Sequence, residues 1–267
     1  MKVLINKNRL AASLFYASTL SISVGDCFRN NENNKNNKDS NPNTQTTLAN
    51  VNNNIKKIIT SLGAIEEKIK LSRDYTEEMF SKAVEGFTHL INGVNKSAIN
   101  DLLTSAIASC KKTKEAAINT QEKNKERIIG IKASVNKLLS KSSKNAKKSD
   151  ELKQALKGKN CCIIGGHLEK EAKAKKEMYK AIETAFNKIA KEGGYSTQVN
   201  GDCNKVVDAC KEAQVKMTTI LKNIAEMCKT ANFNEAANSF NKAAEAAEKT
   251  AATEKEATEM EKKEIKS

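Results

Sequence analysis

One proline constrains this chain more than any other residue. Pro42 is the single proline among 267 residues, and from Asn43 to Ser267 no position lacks a backbone N–H or has its φ locked. A run of that length without proline permits long, uninterrupted helices. Lys, Glu, Ala, Leu and Ile dominate it, apolar residues recur at helical spacing, and strongly β-prone residues are thinly scattered. Aromatic residues make up 4% and tryptophan is absent, so a core has to be built from Ile, Leu, Val, Ala and Met. The fold class expected is all-α, a bundle of about five to seven helices.

The apolar stripes give the expected elements. Ile55, Ile58, Leu62, Ile65 and Ile69 share one helical face. Asp74-Tyr75-Thr76-Glu77 resembles a capping box, so a second helix is expected to start there, with Met79, Phe80, Ala83, Phe87, Leu90, Ile91 and Val94 inward. A long helix is expected from Ser97 to Leu139. It carries Ile99, Leu102, Ala106, Cys110, Thr113 and Ala117, crosses a polar patch at 119–127 that invites a bend, and resumes at Ile128, Ile131, Val135 and Leu138.

A basic loop at 140–149, a short helical piece Asp150–Leu156 and a Gly-rich, non-helical connection at 157–166 follow. The next helix runs from His167 to Lys191, with Leu168, Ala172, Tyr179, Ile182, Phe186 and Ile189 inward, until Gly193-Gly194 stops it. Residues 195–202 read as a loop. Cys203, Val206, Cys210, Ala213, Met217, Ile220, Ile224 and Met227 form one continuous stripe, the clearest in the chain. The last helix starts near Asn234, buries Ala236, Phe240, Ala243, Ala247 and Ala251, and turns almost wholly charged after Glu254. Residues 256–267 are expected to fray.

The N-terminus reads as an address rather than as a fold. Lys2, Lys7 and Arg9 precede the apolar run Leu10–Val24, and a cysteine, Cys27, follows. A basic start, a short apolar segment and a cysteine describe an export signal whose cysteine is kept for lipidation. Serines and Thr19 dilute the run, which is also short of the ~20 apolar residues that cross a bilayer. Asp26 stands where such signals normally carry Gly, Ala or Ser. The Asn- and Lys-rich stretch beyond Cys27 cannot bury enough apolar surface to offset its ordering entropy. The expected organisation is a signal peptide at 1–26, a lipidated N-terminus and disordered tether at 27–50, a helical ectodomain at 51–255 and a charged tail at 256–267. The expected location is the cell surface, anchored to an outer membrane through Cys27.

Charge and cysteine narrow the chemistry. The net charge is +14, yet only Arg9, Arg29, Arg73 and Arg127 are arginines. Lysine is a hydrated point charge without the planar fork that reads phosphates and base edges, so nucleic acid is not an expected partner. Beyond Cys27 lie Cys110, Cys161, Cys162, Cys203, Cys210 and Cys228, an even set that predicts disulfide staples in an exported chain. Cys203 and Cys210 lie about 10.5 Å apart along one helix and cannot bridge each other. Free buried thiols are the plain alternative. Cys161-Cys162 with His167, Cys203 and Cys210 offers soft zinc ligands at no standard spacing. His89 reads as a flank residue. No Walker loop, GxGxxG, HExxH or GxSxG occurs. The expectation is a non-enzyme with no cofactor and no metal. Lys170, Lys173, Lys175 and Lys176 are the candidate partner-binding residues, set against a simple solvated face.

A signal ending at Cys27, an Asn/Lys-rich tether and Lys/Glu/Ala helices together resemble the plasmid-borne surface lipoproteins of Borrelia spirochaetes. The resemblance lies in organisation over the whole chain, not in a specific motif. It implies lipidation at Cys27 and capture of a host serum or matrix protein, a complement regulator such as factor H first, with plasminogen or decorin as other partners. It equally admits an antigenic coat protein, or a lysine-driven adhesin for sulfated glycans. The cysteine-rich core departs from the variable major proteins of that group, whose ectodomains are usually cysteine-poor.

Overall fold

The computed structural model describes residues 43–94, 96–141, 145–156, 161–212 and 216–266. Among them are seven helices and no strand: α1 (Asn43–Gly93), α2 (Ser97–Leu139), α3 (Asn145–Leu156), α4 (Cys161–Glu192), α5 (Thr197–Lys211), α6 (Met217–Thr230) and α7 (Asn234–Lys266). Residues 1–42, with the expected leader, Cys27 and most of the tether, lie outside the described residues.

The long helices run antiparallel, as their cross-links show. α1 meets α2 through Lys132–Glu66 at 3.2 Å and Lys114–Glu77 at 3.2 Å. α1 meets α7 through Lys68–Glu256 and through His89–Glu235 at 3.0 Å. α4 lies along α2, with Lys112–Glu177 at 2.6 Å. The α5–α6 hairpin fills the space between the second half of α4 and the first half of α7.

Two apolar cores result. The larger joins Phe80, Phe87 and Leu90 of α1, Leu103 and Cys110 of α2, Met178 and Phe186 of α4, most of the buried face of α5 and α6, and Phe240 of α7. Phe87 and Phe240 meet edge to face, centroids 4.9 Å apart at 81°. Gly86 makes room for this contact: a methyl there would sit 2.8 Å from the Phe240 ring. The smaller core zips Ile55, Leu62, Ile65 and Ile69 of α1 onto Ile128, Ile131, Val135 and Leu138 of α2, with Leu152 of α3 and Met260 of α7 against it.

Several expectations change. α1 begins at Asn43, inside the stretch read as tether, and passes Asp74 without a break. The capping-box residues stay inside the helix because Ser72 and Thr76 must remain in register with α2, where Gln121 bonds both. α2 runs whole through its polar patch. Helix also occupies part of the expected basic loop, where buried Lys148 donates to the Lys141 carbonyl at 3.2 Å. α4 starts at Cys161, so Cys161, Cys162 and Gly165-Gly166 are helical rather than loop. α5 starts at Thr197, because the Ser196 hydroxyl caps the Val199 N–H at 3.3 Å.

The stripe from Cys203 to Met227 is two helices, not one. The chain turns extended at Glu212 and Lys216 and folds back, so both halves bury against the same core. Asn232, at φ 62, closes α6: Phe233 N–H donates to the Cys228 carbonyl at 2.7 Å and Asn232 N–H to that of Lys229 at 3.0 Å, a Schellman turn. Gly194, at φ +76, ends α4 as expected. At the C-terminus the charged stretch continues as helix with Thr253, Ala257, Thr258 and Glu261 buried, while Ala251 faces solvent. Successive turns of α7 therefore dock, as far as Glu261, where fraying was expected.

Candidate functional site: a polar cavity between two apolar cores

Between the two cores the apolar stripes are interrupted on every long helix at the same level. α1 places Ser72 and Thr76 there, α2 places Thr120, Gln121 and Asn124, α4 places Glu171, and α7 places Glu254, Thr258 and Glu261. All of these but Thr76 line a cavity of about 70 Å³ whose remaining wall is Ile65, Lys68, Ile69, Leu168 and Ala257. That volume suits about two water-sized occupants at ~30 Å³ each, not a metabolite.

The polar groups are tied across three helices. Gln121 Nε2 reaches Thr76 Oγ1 at 2.9 Å, Ser72 Oγ at 3.1 Å and Glu254 Oε1 at 3.2 Å. Ser72 Oγ donates to the same Glu254 oxygen at 3.1 Å. Below this, Arg127 Nη2 donates to Glu261 Oε1 at 2.8 Å and to Asn124 Oδ1 at 3.1 Å. That ion pair is deep, with side chains 10% and 7% exposed, so neither charge can be lost alone without leaving the other stranded. Gln121 Oε1 is buried and has no hydrogen-bond partner among the described residues.

Glu171 is the outlying group. It is half-buried as a residue, and its carboxyl is closely surrounded by protein. Burial pushes that carboxyl above the ordinary glutamate range; the Thr120 hydroxyl pulls it back, Glu254 pushes it further, and Lys175 again lowers it.

The residues singled out in the sequence fall elsewhere. Cys110, Cys203, Cys210 and Cys228 are free, buried thiols, so the expected staples are not shown among them. They pack as small apolar side chains of the larger core. Burial pushes Cys110, Cys203 and Cys210 up to about 12 and Cys228 higher still, so all four stay protonated and unreactive. The side chains of Cys161 and Cys162, like Cys27, lie outside the described residues. His167 is half-buried on α4, and no group of three or more His, Cys, Asp or Glu among the described residues is placed to hold a metal ion. His89 bridges α1 to Glu235 of α7, a flank position as expected.

Lys170, Lys173 and Lys176 are exposed on α4. Lys175 is not part of that surface; its Nζ lies over the Tyr179 ring, 5.9 Å from the centroid. Sequence reasoning missed Gln121, Glu171 and Glu254. The signal was present in the polar residues that occupy core register in α2, read there as a bend.

Comparison with known family models, with curated proteins and with solved structures finds no match to this chain. No described helix is long and apolar enough to cross a membrane.

Proposed function

We propose that this chain is a lipid-anchored surface protein that captures a host protein by non-catalytic binding, with a complement regulator such as factor H as the favoured partner. The observation that carries this reading is the leader: a basic start, an apolar run and Cys27, followed by a polar stretch before the helices. Acyl chains on Cys27 would hold the bundle at the outer face of a membrane. The organisation resembles that of Borrelia surface lipoproteins, and the partner class follows from that resemblance.

The helical part is compatible with capture rather than turnover. The cavity between the cores admits only water-sized molecules, so a macromolecular partner would meet the outer helix faces. A second reading, an adhesin for sulfated glycans, draws on exposed Lys170, Lys173 and Lys176 of α4. Salt separates the two. Binding through lysines to sulfates should collapse at high ionic strength, whereas an interface with an apolar centre should persist. A third, an antigenic coat protein, predicts no saturable ligand.

Labelling cells with radioactive palmitate tests the anchor: label should enter the wild-type chain and be lost in Cys27→Ala. A pull-down from host serum with residues 43–267 tests capture, with a retained protein identified by mass. Absence of label together with resistance of the chain to protease on intact cells would overturn the surface assignment. A labelled chain that retains nothing from serum would leave the coat reading in its place.

A further inference from the structure

The outer face of α4 carries charge of one sign. α4 packs on α2 and α5, and Ala174, Met178, Ile182, Ala185, Phe186 and Ile189 lie buried on its inward side. On the opposite side stand Lys173, Lys176, Lys180 and Lys191, all exposed, with Thr184 and Asn187 between them. Helical spacing places these four lysines within an arc of roughly 60° and along a length of about 27 Å. Lys170, also exposed, sits on the flank of this ridge, and Glu169 closes its N-terminal end.

The other acids of α4 turn away from the ridge. Glu177 reaches sideways to Lys112 of α2 at 2.6 Å, Glu183 stands on the α5 side, where its charge is felt by Cys210, and Glu192 pairs with Lys188 at 2.6 Å. Lys173 attracts Glu177 from the edge of the ridge without pairing to it. None of the four ridge lysines stands in an ion pair among the described residues. Elsewhere the bundle matches lysine with acid, as in Lys132–Glu66, Lys205–Asp202 and Lys222–Glu248.

That sorting has a cost. Like charges three or four positions apart on a helix repel, and Lys173 with Lys176, and Lys176 with Lys180, are such neighbours. Solubility needs no such arrangement: the pairs Lys82–Glu85 and Lys255–Glu259 interleave the two signs on exposed turns of α1 and α7. A ligand that brings negative charge along the helix axis relieves the repulsion.

The shape of the ridge selects among anions. A flat anionic membrane would press on both flanks, where Glu177 and Glu183 stand, and would find Thr184 and Asn187 rather than an apolar side chain to insert. Nucleic acid is held by arginine forks and by bases stacked on aromatic rings, and the ridge has neither. Sulfate esters on a thread-like polymer need only a row of point charges, which lysine ammonium groups supply.

We propose that Lys173, Lys176, Lys180 and Lys191 form a binding surface for a linear sulfated polysaccharide, which lies along α4 with its sulfates over the ammonium groups. The ridge supplies a site for the glycan-adhesin reading, on which this assignment rests, and extends it by Lys180 and Lys191.

Binding of a labelled heparin oligosaccharide to the full-length chain, titrated over a range of salt concentrations, tests this. Affinity should fall steeply as salt rises. The triple variant Lys173→Gln, Lys176→Gln, Lys180→Gln should lose at least about tenfold in affinity, since exposed charge contacts are individually modest and three are removed together. Gln suits a helix as well as Lys does, so the fold is kept. Lys56→Gln, Lys57→Gln, Lys70→Gln removes the same charge from exposed positions of α1 and should change affinity by less than about twofold at physiological salt. Equal losses in the two triple variants would overturn the ridge and leave an adhesin driven by diffuse charge. No binding by the wild-type chain even at low salt would overturn the ridge and the glycan reading together. Equal binding of heparin stripped of its sulfates would overturn sulfate as the ligand. A tighter, ridge-dependent hold on phosphatidylserine vesicles than on heparin would overturn the polysaccharide in favour of a membrane surface.

Discussion

The core around Phe87 and Phe240 draws on α1, α2, α4, α5, α6 and α7, whereas that around Ile65 and Ile128 is mainly a two-helix zipper with α3 and Met260 laid against it. The first is built on close fit, with an aromatic edge seated over Gly86. The second uses β-branched and leucine side chains along one seam, and its boundary with the first is set by charge and hydrogen bonds. Shape therefore decides stability in one half of the molecule, and the satisfaction of buried polar groups decides it in the layer between. The two regions should answer differently to substitution.

The largest effect is expected at the aromatic contact. Phe240→Ala removes a fully buried ring and should cost about 3–5 kcal/mol in urea unfolding. A loss under about 1 kcal/mol would mean that the larger core collapses around the gap and that its close fit is not what holds it.

Next is the polar layer. Arg127→Ala strands Glu261 in the interior and should cost about 3 kcal/mol. The double variant Arg127→Met, Glu261→Leu should recover most of that loss, because two well-packed apolar side chains need no partner. Failure to recover would show that Asn124, which Arg127 also bonds, depends on the guanidinium.

The zipper should be more forgiving. Ile128→Val keeps the branched shape and removes one methylene, for about 1 kcal/mol or less in the same measurement. A loss matching that of Phe240→Ala would erase the distinction between the two cores.

The smallest effect is none at all. With Cys110, Cys203, Cys210 and Cys228 as buried thiols, adding reductant should leave the unfolding temperature unchanged. A clear drop would point to a bridge through Cys161 or Cys162. A thiol reagent should label the four only after denaturation.

How much of this was legible in the sequence depends on whether the cause is local. The bounds of α2, the stop at Gly193-Gly194 and the start at Asn234 are written in single residues and short spacings, and they appear where expected. The division of the Cys203–Met227 stripe is not local. Its two halves keep a common apolar register, so nothing in the periodicity marks the division into α5 and α6 that tertiary packing imposes. Asp74–Glu77 has the composition of a helix start, but a capping box acts only where the chain turns. The polar layer was visible in pieces. Thr120 and Asn124 in α2, Ser72 and Thr76 in α1, and Thr258 and Glu261 in α7 each break an apolar stripe. Read one helix at a time they suggest a bend, a cap and a fraying tail; only their common level makes them one site. Lys175 and Lys176 are neighbours in sequence, and the helix alone sends one onto a ring and the other to solvent.

α7 contributes to both cores and to the ion pair between them. Its partners on α1 lie far back in the sequence, with Lys68 and Glu256 separated by 188 positions. A chain still short of α7 thus lacks Phe240 from the larger core and Glu261 from the buried ion pair.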